Sequence, residues 1–118
     1  MALVLAVDDD GAALAIRKLL IERSGHEVIV AENANAARAA FRESNPDVVI
    51  CDLRLPDVHD GLALIREFHG RTRIIVLCGN STDIEGREEA ALAYAILTKP
   101  VRSEVLLRSI DKDQVGRE

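Results

Sequence analysis

Three consecutive aspartates, Asp8, Asp9 and Asp10, stand directly behind the apolar run LVLAV, and Asp52 ends the apolar run VVIC. Further along, Cys78-Gly79-Asn80 closes a third aliphatic run and Thr98-Lys99-Pro100 closes a fourth. Each polar group begins where an aliphatic stretch stops. Carboxylates gathered within a few ångströms repel: one pair roughly 4 Å apart costs about 4 kcal/mol at an effective dielectric of about 20. Such a cluster raises its own pKa values or recruits a cation. Hard oxygens with room for water suit Mg²⁺, held by one or two carboxylates plus a phosphate. A divalent ion and an ammonium around one carboxylate is what phosphoryl transfer onto that carboxylate requires. The cations neutralise the transferring oxygens while Asp52 attacks in line.

That chemistry needs elements that bring the groups to one place. Five short runs, 3–7, 26–31, 47–52, 73–78 and 95–97, alternate with helical patterns over 11–24, 34–44, 61–69, 83–94 and 102–111. The first, third and fourth runs are almost wholly apolar, as parallel strands covered on both faces are. The helix over 11–24 is expected to bury Ala12, Ile16, Leu19 and Leu20 and to stop at Ser24-Gly25. The helix over 34–44 should bury Ala37, Ala40 and Phe41 behind an Asn33 cap. The pattern over 61–69 places Leu62, Ile65 and Phe68 together, and that over 102–111 carries Leu106 and Ile110. Gly86 and the polar run Glu85, Arg87, Glu88 and Glu89 leave the 83–94 helix a thin apolar stripe, so it should be the least stable. Five β–α repeats joined by right-handed crossovers give an open parallel sheet with helices on both faces. Ligands bind such sheets outside the carboxyl ends of the strands, where the polar groups above collect.

The totals agree with a small globular chain. Its 118 residues, 48% hydrophobic and 30% charged, fit one domain, expected over 1–112, with 113–118 as a charged tail or linker stub. A net charge of −5 without a basic cluster argues against direct nucleic-acid binding. No apolar run reaches a membrane span, and the first residues lack the basic-then-apolar pattern of a secretion signal, so the expected location is the cytoplasm. Cys51 and Cys78 lie in apolar runs and read as small core residues in a reducing compartment. His26, His59 and His69 read as surface residues.

LAVDDD (5–10), DVVICDLRLPDVHDGLALI (47–65) and LTKPV (97–101), in that order, resemble the receiver domain of bacterial two-component response regulators. The resemblance spans essentially the whole chain. It implies a flavodoxin-like (βα)5 three-layer sandwich, with a parallel five-stranded sheet of order 2-1-3-4-5. It implies that Asp52 takes a phosphoryl group from a histidine kinase or a histidine phosphotransfer protein. Asp9 and Asp52 would ligate Mg²⁺ directly, with Asp8 acting through water and the backbone carbonyl of Arg54 completing the protein ligands. Lys99 would pair with the phosphoryl group, next to a peptide bond to Pro100 that is often cis in this family. A downstream protein would read the switched surface around the fourth helix, fifth strand and fifth helix, the face through which receivers often form homodimers. The domain would catalyse only its own phosphorylation and dephosphorylation.

The chain departs from the family at three points. A Thr or Ser is usual where Cys78 stands, followed by a small residue, here Gly79. That hydroxyl bonds the phosphoryl group, and a thiol is a weak donor. The usual switch aromatic is replaced by Ile96, with Tyr94 two residues early. The DVHD stretch between Pro56 and Gly61 looks one residue longer than is usual in the family. These departures leave a second reading, a receiver-like binding module with little or no phosphorylation-driven switching. A Mg²⁺-dependent aspartyl phosphatase of the haloacid dehalogenase type would need an aspartate where Arg54 stands. A nucleotide or flavin binder would need a Gly- or Ser/Thr-rich loop where Asp8–Asp10 stand. With no output domain in the sequence, the chain reads as a single-domain regulator or as a receiver from a hybrid kinase or longer regulator.

Overall fold

In the computed structural model every strand pairing is parallel, and β1 (Leu3–Val7) is flanked by β2 (Glu27–Ala31) and β3 (Val48–Asp52). β4 (Arg73–Cys78) and β5 (Ala95–Thr98) complete the order β2-β1-β3-β4-β5. Five helices connect and cover the strands: α1 (Gly11–Arg23), α2 (Ala34–Ser44), α3 (Val58–Phe68), α4 (Glu88–Leu92) and α5 (Ser103–Gly116). The structure describes residues 1–116, with side chains through Asp111. The expected tail over 113–118 falls partly within α5, and its remainder lies outside the described residues.

The sheet divides the interior into two layers. Leu5, Val7, Val49, Cys51, Ile74 and Val76 face one side, where Ala37 and Phe41 of α2 and Leu62, Ile65 and Phe68 of α3 close over them. The Phe41 and Phe68 rings stack with centroids 4.1 Å apart and join α2 to α3. Val4, Val48, Ile50, Ile75 and Leu77 face the other side, against Ile21 of α1 and Leu106 and Ile110 of α5. β3 is buried at all five positions, which is why its sequence is apolar without alternation.

Side-chain caps set several boundaries. Asp10 accepts from the amides of Ala12 and Ala13 at the start of α1, and Asn33 from Ala36 at the start of α2. Gly25, at φ +95°, turns the chain out of α1 in a conformation that a side chain would disfavour. α3 begins three residues earlier than the sequence pattern suggests. Asp57 accepts from the His59 amide, so VHD forms its first turn rather than a loop. The expected helix over 83–94 is instead a single 3₁₀ turn at Ser81–Asp83 and the five-residue α4, which has no side-chain cap.

Two burial expectations are overturned. α1 turns Leu14 and Ile21 inward, while Ile16 is 71% and Leu19 52% exposed. Its aliphatic residues are spread around the helix, so periodicity did not select a face, and packing against the sheet did. His26 is buried rather than on the surface: its Nδ1 accepts from the Ala2 amide at 3.0 Å and its Nε2 lies 2.9 Å from Asp111 Oδ1.

Gly61 is required by close approach. A Cβ there would collide with the carbonyl oxygen of Leu53, in the loop leaving β3. Gly61→Ala should therefore lower the unfolding free energy by about 3 kcal/mol, because an overpacked backbone contact has no rotamer to relieve it. Urea unfolding of the two proteins measures the difference, and equal midpoints would mean that α3 can shift without cost.

Candidate functional site

The parallel register sets Val7 beside Cys51, so the residues that follow, Asp8 and Asp52, leave adjacent strands at the same end of the sheet. A carboxylate oxygen from each of Asp8, Asp9 and Asp52 lies within 4.8 Å of the others. They line a cavity of about 390 Å³ together with Arg54, Gly79 and Lys99. Asp10 also borders the cavity, but its side chain is engaged as the cap of α1. Asp8 and Asp52 are buried, and Asp9 lies exposed at the mouth.

Each buried carboxylate has a counter-charge. Lys99 Nζ donates to Asp52 Oδ2 at 2.8 Å from the end of β5. Arg17 donates to Asp8 Oδ2 at 3.2 Å, and the Asp10 amide to Asp8 Oδ1 at 2.9 Å. The Arg54 amide approaches Asp52 Oδ1 at 3.3 Å. Burial pushes the Asp52 carboxyl above its ordinary range, and nearby Asp8 adds to the rise, while Lys99 and the Arg54 amide oppose it. Three hard oxygen donors around one open cavity fit a small divalent cation such as Mg²⁺.

Of the other residues singled out in the sequence, Gly79 borders the cavity, and Cys78 is buried next to Thr98 on β5. Burial raises the Cys78 thiol, and the Asp83 and Asp52 carboxylates raise it further, so it is no thiolate nucleophile. Ile96 packs partly buried against the α2–α3 layer. Tyr94 lies before β5, with Arg73 over its ring 5.0 Å from the centroid. The Lys99–Pro100 peptide is cis. His59 and His69 are exposed.

Two contributors carry no motif. Arg17 is three residues after Leu14 and four before Ile21, on the buried face of α1, a position visible only once that face is known. Asp83 takes the Arg54 guanidinium, with Nε at 3.2 Å and Nη2 at 2.9 Å from Oδ2. Beside the cavity, Ala13, Ile16, Leu20, Val101 and Leu106 line an apolar groove of about 600 Å³ between α1 and α5, with Lys99 and Arg17 at its wall.

Residues 4–111 match the family described as "Response regulator receiver domain". The chain belongs to that family. The receiver is 32% identical to protein PilH of Pseudomonas aeruginosa, over 98% of this chain and all of that one. It spans about half or less of the transcriptional regulators that it also matches. Among solved structures, a Clostridium thermocellum receiver domain superposes with a TM-score of 0.83 at 29% identity, covering 99% of this chain and 96% of that one. Thermotoga maritima TrrA, solved in complex with Mg²⁺ and beryllium fluoride, gives 0.80 at 26% identity, covering 99% and 98%. Receivers are signalling domains, and the acidic cluster here is of the kind at which they typically bind Mg²⁺.

The raised Asp52 carboxyl has a consequence for stability. The folded receiver holds that proton more tightly than the unfolded chain does. The resulting stabilisation is complete below the ordinary carboxylate range, near pH 4, and is lost as pH rises through the raised value. In chelator at pH 7, Asp52→Asn should be more stable than the parent, and the gain should vanish as pH falls below about 4. Urea midpoints across pH measure this. A variant equally stable or weaker at pH 7 would show that Lys99 fully offsets the burial.

Proposed function

We propose that Asp52 accepts a phosphoryl group from a phosphohistidine, carried by a histidine kinase or a histidine phosphotransfer protein in the cytoplasm. The observation that carries this reading is the Asp8–Asp9–Asp52 cluster, with Lys99 Nζ 2.8 Å from Asp52. Asp52 attacks phosphorus through a carboxylate oxygen. The P–N bond to the donor imidazole breaks, its electron pair stays on the ring nitrogen, and a P–O bond forms at Asp52. Asp9, Asp52 and the Arg54 carbonyl would hold Mg²⁺ directly and Asp8 through water. When bound, the ion neutralises phosphoryl oxygens. Lys99 leaves the Asp52 oxygen for the phosphoryl group, a move that its partial exposure permits. Arg17 holds the Asp8 carboxylate in place through its 3.2 Å contact. Gly79 borders the cavity that would receive the phosphoryl group. The apolar groove at Lys99 suits an apolar helix face on the phosphodonor protein.

Phosphorylation adds charge at the ends of β3 and β4, next to the element with the weakest local support. α4 is five residues long and lacks a side-chain cap, and one buried acid, Glu89, ties it to Arg66 of α3. The α4–β5–α5 face is therefore the surface that a downstream protein, or a second copy, reads. Cys78 and Ile96 favour a second reading, a binding module with weak switching, because the first is a poor donor and the second is an aliphatic side chain packed against the α2–α3 layer.

Incubation with Mg²⁺ and a small phosphodonor should add one phosphoryl group by intact mass. The addition should disappear with chelator or with Asp52→Asn. An Asp52→Asn protein that is still modified would place the chemistry elsewhere. A parent protein that never gains the group, yet binds its partner as tightly as Asp52→Asn does, would favour the second reading.

A further inference from the structure

Arg54 leaves β3 two residues after Asp52, and its backbone and side chain point to different tasks. Its amide approaches Asp52 Oδ1, while its guanidinium turns outward and lays both Nε and Nη2 on a single oxygen of Asp83. Asp83 belongs to the 3₁₀ turn that hangs from the end of β4. The Asp83 backbone is engaged too: its carbonyl accepts from Arg87 Nε at 2.9 Å, and Arg87 is the residue that enters α4. A continuous chain of polar contacts thus runs from Asp52 through Arg54, Asp83 and Arg87 to the start of α4. It passes Cys78, whose thiol the Asp83 carboxylate also influences.

The Arg54–Asp83 pair is built to exchange. The Arg54 side chain is 60% exposed and Asp83 19%, so water screens the attraction and the pair is weak. Arg54 borders the Asp52 cavity, and its 60% exposed side chain has solvent space in which to rotate. A phosphoryl group carries more charge than a carboxylate and offers three acceptor oxygens in a geometry that matches the guanidinium fork. Two anions would then compete for one cation, and the phosphoryl group is the stronger.

We propose that Arg54 and Asp83 form a clasp that phosphorylation opens, with Arg54 passing from Asp83 to the phosphoryl group on Asp52 and freeing the turn that leads into α4. Asp83 is then a positioning residue. It holds Arg54 off the site in the resting state and links the state of the site to α4 where no hydroxyl stands at position 78. The clasp rests on the reading of Asp52 as phosphoacceptor.

The test uses the full chain with Mg²⁺ and beryllium fluoride as the phosphoryl mimic. Fluorine NMR reports occupancy, and amide spectra over residues 81–92, together with the Arg54 Nε–H signal, report the response. In the parent, fluoride binding should move the Arg54 Nε–H signal and the 81–92 amides together. Asp83→Asn should bind fluoride about two- to five-fold more tightly, the range that follows from removing one exposed ion pair as competitor. Before fluoride is added, its 84–92 amides should already lie toward their bound positions. A purely structural role for Asp83 would not tighten fluoride binding. At matched fluoride occupancy, Arg54→Gln should lose the response over 81–92. Unchanged affinity in Asp83→Asn, or a full 81–92 response in Arg54→Gln, overturns the clasp and leaves the phosphoacceptor reading standing. No Mg²⁺-dependent fluoride signal in the parent overturns both.

Discussion

Like charge must be held together for this site to exist. Asp8, Asp9 and Asp52 present oxygens within 4.8 Å of one another, and two of the three residues are buried. An uncompensated cluster of that kind would push the strand ends apart. The compensation comes from three elements. α1 supplies Arg17 to Asp8, β5 supplies Lys99 to Asp52, and the β3–α3 loop supplies the Arg54 amide. The adjacency of β1 and β3 creates the repulsion. One covering helix and the far strand bring the charges that contain it.

The same arrangement separates the site from the layers that respond to it. Asp52 faces the cavity from a strand buried along its whole length and paired on both sides. Freedom lies instead after β4, in a single 3₁₀ turn and a helix of five residues with little local support. Ile96 packs partly buried against the α2–α3 layer, and Tyr94 is engaged by Arg73 before β5 begins. Neither offers a ring that could move between an inner and an outer position at the site end of β5. Polar contacts across the Arg54–Asp83–Arg87 chain are the more direct physical connection between the site and α4.

Where expectation and structure part, the cause is an ambiguous local signal that tertiary context resolves. Residues 12–21 contain so many aliphatics that several helix faces satisfy the apolar pattern. The chosen face buries Leu14 and Ile21 and leaves Ile16 on the apolar groove beside Lys99. His26 has no hydrophobic neighbour in sequence to mark it as buried, yet it is enclosed by the start of β1 and by Asp111 of α5. DVHD looks like loop because two of its four residues are acidic, but one of them caps a helix.

The sequence alone determined the parallel five-stranded sheet, because unbroken aliphatic runs alternating with helical patterns can be buried in few other ways. It also determined which residues gather at the strand ends, since a carboxylate or lysine ending a buried strand emerges at the sheet rim. Tertiary structure alone decided the partners: Arg17 for Asp8, Asp83 for Arg54, and a buried setting for His26. Those pairings join residues on different elements, and which side chains meet depends on helix rotation and loop path, quantities that local spacing does not encode.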